Sequence, residues 1–129
     1  MSRPFARLAL PLLLLVLLFG TLMPGAWKTG AVHRIGGPLD LPVVAHVCLF
    51  AAMAWLLPAT RWWRLAPWHP LALGLGLALA TEGLQFFAVD RHPNLAGVMQ
   101  DMAGTCIGWA LARPWRGDLS AAQPRRGST

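Results

Sequence analysis

Four apolar runs divide the chain: Leu8 to Met23, Leu39 to Leu57, Pro70 to Val89 and Leu95 to Ala112, each 16 to 20 residues long. They close on polar or helix-breaking residues: Pro24-Gly25, Pro58, Asp90-Arg91-His92-Pro93-Asn94 and Arg113-Pro114. A helix rises about 1.5 Å per residue, so a run near 20 residues crosses a bilayer's hydrocarbon core. No stretch alternates with the period of two that a membrane barrel strand requires. The pattern predicts an all-α membrane protein of four transmembrane helices. Residues 1–116 form one four-helix transmembrane domain, and 117–129, lacking apolar periodicity, form a disordered cytoplasmic tail.

Composition agrees with a lipid environment. The 129 residues are 56% hydrophobic and 12% charged, with mean hydropathy +0.51. A soluble domain carries roughly twice that charged fraction. The net charge of +6 would suggest nucleic acid in a soluble protein, but the Lys and Arg sit at the ends of the apolar runs. No aromatic-basic motif accompanies them, so no nucleic-acid partner is expected. Arg3, Arg7, Arg61, Arg64, Arg113, Arg116, Arg125 and Arg126 fall on one side; Lys28, Arg34 and Arg91 fall on the other. The positive-inside bias makes the first side, with both termini, cytoplasmic. Trp27, Trp62, Trp63, Trp68 and Trp115 lie near run ends, where an aromatic belt meets the interface. The first run also has the basic and leucine-rich parts of a signal peptide, but no clean small-x-small site follows it, and it is read as a retained helix. Cys48 and Cys106 lie in apolar runs without a C-x-x-C motif and are read as buried, inert thiols.

Against this background, polar groups inside the runs stand out. A charge near the centre of a membrane helix costs roughly 2.5–3.5 kcal/mol on insertion scales. His46, Glu82, Gln85 and Asp101 nevertheless occupy three of the runs, at similar depths below the outer interface by residue count. Glu82 and Gln85 are i and i+3 on one face; Asp101 and Thr105 are i and i+4. Gly104, Gly108 and Ala112, and Ala72, Gly76 and Ala80, form small-residue stripes that suggest a close hairpin of the third and fourth helices. The joint between them is short enough for Arg91 to reach Glu82 or Asp101. One histidine at this depth predicts no metal site, and no phosphate loop, nucleophile elbow or dinucleotide fingerprint is present. No cofactor is expected.

The ordered set resembles the VanZ-like family of small bacterial membrane proteins. It comprises a histidine early in one span (LPVVAHVCLFAAMAWLL), an E-x-x-Q pair (EGLQFF), a following arginine (VDRHPN) and an aspartate opening the last span (QDMAGTCIGWAL). The resemblance covers about Asp40 to Ala112 and places the family's polar positions on His46, Glu82, Gln85, Arg91 and Asp101. Thr105 stands where the family usually has Asn. The resemblance implies a cell-envelope protein of the bacterial cytoplasmic membrane and does not imply a reaction.

Three functions are open at this level. The first is phosphoester chemistry on lipid head groups or lipid-linked envelope precursors. There His46 or Glu82 would serve as general base and Asp101 as its orienting partner, the catalytic set, with Gln85, Arg91 and Thr105 binding substrate. The second is a binding or permeation module without chemistry, for which a homo-oligomer would be needed. The third is a structural subunit whose polar level pairs with another membrane protein.

Overall fold

The computed structural model describes residues 3–24, 30, 40–60, 66–87 and 94–113. They hold four long helices: α1 (Arg3–Leu22), α2 (Leu41–Thr60), α3 (His69–Leu84) and α4 (Leu95–Leu111). A 3-10 turn, Gln85–Phe87, extends α3. The segments Pro4–Leu22, Leu41–Thr60 and His69–Phe87 are long and apolar enough to cross a membrane. At 17 residues, α4 is shorter, roughly 25 Å of helix.

Prolines shape these elements differently from the breaks the pattern suggests. Pro70 sits in the first turn of α3, where a missing N–H leaves no bond unmade. Pro11 is inside α1, and α2 passes through Pro58 to Thr60 rather than stopping before it. The hydroxyl of Thr60 closes that last turn by donating to the Leu57 carbonyl at 2.8 Å. At the start of α4, the Asn94 side chain caps the helix by accepting from the Gly97 amide at 2.9 Å.

Contacts between helices set an up-down-up-down bundle. Arg7 near the start of α1 donates to the Thr60 carbonyl at the end of α2, so these two run antiparallel. Trp109 late in α4 donates to the Pro67 carbonyl just before α3 at 2.7 Å, making α3 and α4 antiparallel. The most extensive packing joins α2 to α4, which run parallel. Glycines make it close: a Cβ at Gly104 would overlap the Val47 carbonyl, and one at Gly108 the Ala51 carbonyl. The Gly104–Gly108 stripe therefore serves α2 and not the expected hairpin with α3. The stripe Ala72, Gly76 and Ala80 is exposed, and nothing lies near a Cβ built at Gly76. Contact of α3 with α4 instead uses Gly74, against which Thr105 packs.

The bundle is apolar outside and partly polar inside. Phe5, Leu8, Leu12, Leu15 and Phe19 stand out along α1, as do Leu75 and Leu79 on α3 and Met99 and Ile107 on α4. Buried are Leu17, Phe50, Met53, Ala78 and Val98, which form the core, together with Glu82, Gln85, Asp101 and four threonines. Water-soluble proteins rarely show so continuous an apolar surface.

Candidate functional site

Asp101 is the centre of the buried polar set. It is 1% exposed, on the face of α4 that meets both α2 and α3. Oδ1 lies 3.0 Å from Nδ1 of His46, which reaches it from the second turn of α2. Oδ2 lies 3.4 Å from the hydroxyl of Thr81 on α3. That hydroxyl has one proton, and it also points to the Ala78 carbonyl at 2.9 Å, so its contact with Asp101 is the weaker. With the carboxylate accepting from Nδ1–H, the imidazole is held as the tautomer whose Nε2 carries the lone pair. The His46 side chain is 20% exposed, so the dyad has one shielded member and one accessible member.

Glu82 and Gln85 form a second layer, about one helical turn nearer the end of the bundle where α3 meets the start of α4. One Glu82 oxygen accepts from the Gln85 amide at 3.3 Å, and the other from the Asn94 backbone N–H at 2.9 Å. The carboxylate lies directly against Gly97, where any side chain would displace it. Glu82 thereby supplies an acceptor at the start of α4, where helix amides lack partners and the helix dipole favours negative charge.

The four polar groups expected at one depth thus resolve into two adjacent layers, His46–Asp101–Thr81 and Glu82–Gln85–Asn94. Thr105 is buried one turn from Asp101, but its hydroxyl donates to the Asp101 backbone carbonyl at 2.9 Å and its side chain rests on Gly74. It does not face His46 with a free donor. Arg91 lies outside the described residues, as do His92, Trp27, Trp62, Trp63, Trp115 and the tail 117–129. Cys48 and Cys106 are free thiols on the outer surface, not buried, because the inward face of each helix is taken by its small residues and polar groups. Among the described residues no three of His, Cys, Asp and Glu gather to hold a metal ion.

Two participants escaped the sequence reading. Thr81 shares a face with Gly74, Ala78 and Gln85, and that spacing was a usable signal. Thr21 had none beyond being a hydroxyl in an apolar run. It is 1% exposed, one turn past the core residue Leu17, on the helix that touches the Gln85–Phe87 turn. Its hydroxyl meets no hydrogen-bond partner among the described residues. Buried hydroxyls are seldom left so.

Comparison of the chain with protein-family models, curated proteins and solved structures found no match.

Proposed function

We propose that the chain is a multi-pass protein of the bacterial cytoplasmic membrane, VanZ-like in type, with four spans, both termini cytoplasmic and an outer-leaflet polar site. At that site it processes or recognises lipid head groups or lipid-linked envelope components. The His46–Asp101 pair carries this reading: an imidazole 3.0 Å from a buried carboxylate, its side chain partly exposed. This is how a general base is oriented. Nε2 would take the proton of a water or hydroxyl as its oxygen bonds to phosphorus, then return it to the departing oxygen. Arg91, from the joint before α4, would hold the phosphate. The buried Thr21 hydroxyl supports a ligand at the same end of the bundle.

Glu82 favours a second reading for its own layer, since both of its oxygens are engaged within the protein. It is a scaffold group in this proposal, and His46 is the base.

The test is mass-spectrometric profiling of lipids and envelope precursors in membranes expressing the wild type, His46→Gln or Asp101→Asn, at matched protein levels. A species altered by the wild type and by neither variant establishes chemistry and names its substrate class. Identical profiles, with all three proteins stably present, remove catalysis on abundant lipids and leave recognition. Failure of both variants to accumulate makes the dyad a packing element.

A further inference from the structure

A second feature runs from beside the Asp101 layer toward the other end of the bundle. Between α1 and α3, which touch little, is a cavity of about 350 Å³. Its walls are Leu10, Pro11 and Leu14 of α1 and Pro70, Leu73 and Leu77 of α3. Phe50, Met53, Ala54 and Leu57 of α2 form its back, with Gly74 and the Thr105 methyl. It is more than twice the roughly 150 Å³ apolar cavity that admits benzene. Phe50, Leu77 and Thr105 in its wall lie one turn from His46, Thr81 and Asp101 respectively, so the cavity adjoins that layer, but none of those three polar residues lines it. Near its Leu57 end lies a cation. Arg7, one turn before Leu10, is exposed, and its Nε donates to the Thr60 carbonyl at 3.3 Å, one turn past Leu57. Arg7 shares a face of α1 with Leu10 and Leu14, which line the cavity, and this bond engages one of its three guanidinium nitrogens.

We propose that this cavity and Arg7 bind one anionic phospholipid, its acyl chain between α1 and α3 and its phosphate on Arg7. Charge and shape select it together. An apolar cleft alone offers little preference in a bilayer, where lipid tails are as apolar as leucine. A guanidinium at head-group level adds attraction for anionic lipid. The proposal rests on the helices lying in a bilayer and not on chemistry at His46.

The experiment is native mass spectrometry of the full chain purified from washed membranes, offered phosphatidylglycerol or phosphatidylcholine with identical acyl chains. Recovery in the membrane fraction tests the location; lipid retention tests the site. The wild type should retain one phosphatidylglycerol about fivefold better than phosphatidylcholine, the preference expected of one arginine near the head groups. Arg7→Gln should equalise the two lipids. Ala54→Phe, which fills the cavity, should lower retention of both, as should Leu73→Trp on its half-exposed rim. Equal retention of the two lipids by the wild type overturns the proposal, as does undiminished retention by helical Leu73→Trp. Should Ala54→Phe fail to accumulate, Leu73→Trp decides alone.

Discussion

Asp101 and Glu82 are both buried carboxylates, yet their surroundings give them different work. Asp101 meets side chains from two other helices, so its removal leaves His46 Nδ1 without its acceptor and loosens Thr81. Asp101→Ala should lower stability in detergent by about 1–3 kcal/mol, the cost of leaving buried polar groups unpaired. Thr81→Val, which removes the longer Asp101 contact and a local bond to the Ala78 carbonyl, should cost less than Asp101→Ala; thermal denaturation of the two variants checks the order. Glu82 meets a backbone amide and the bare Cα of Gly97. Gly97→Ala should therefore be coupled to it: costly in the wild type and nearly neutral beside Glu82→Ala. A double-mutant cycle should give at least about 0.5 kcal/mol of coupling, and additive effects would separate the two residues.

The helices themselves were legible in the sequence, while their pairing was not. Run lengths located all four, because each must satisfy its own backbone hydrogen bonds in an apolar setting, while Pro58 did not mark the end of α2. Small-residue stripes show that a helix is capable of close approach but not which neighbour approaches. Gly104 and Gly108 could have served either side of α4 and serve α2; Ala72, Gly76 and Ala80 look equally suited and face outward. The polar site was legible in part for the same reason. Residue count gives depth along each helix, which brought His46 near Asp101, but not rotation about it, which places Glu82 on the Asn94 amide and turns the Thr105 hydroxyl to its own helix. Gly108→Ala and Gly76→Ala make the pairing testable. The first drives a methyl into the Ala51 backbone, which cannot step aside, and should cost about 1–3 kcal/mol. The second enters open space and should change stability by less than about 0.5 kcal/mol. Equal losses in a denaturation series would place a partner against the outer face of α3.

At the scale of the whole molecule, alternating helix directions put Arg7, Thr60, Pro67 and Trp109 at one end of the bundle and Phe87 and Asn94 at the other. In the orientation proposed from the charge bias, the first end faces the cytoplasm and the second the outside. Phe87 is 83% exposed and Trp68 60%, so each can carry a cysteine without disturbing the core. Both native thiols are free and lie on the outer surface, so Cys48→Ala and Cys106→Ala should give a folded, unlabelled background. In intact cells, a membrane-impermeant maleimide should then label Phe87→Cys and leave Trp68→Cys unlabelled until the cells are opened. The reverse pattern would invert the protein and move the His46–Asp101 layer to the cytoplasmic leaflet, where the head groups and precursors within its reach are different. Labelling of both in intact cells would mean that α3 does not cross the membrane, despite its length and apolar surface. In the proposed orientation, labelling of Phe87→Cys alone puts His46 toward the outer leaflet, and the head groups to offer it are those of the extracytoplasmic side.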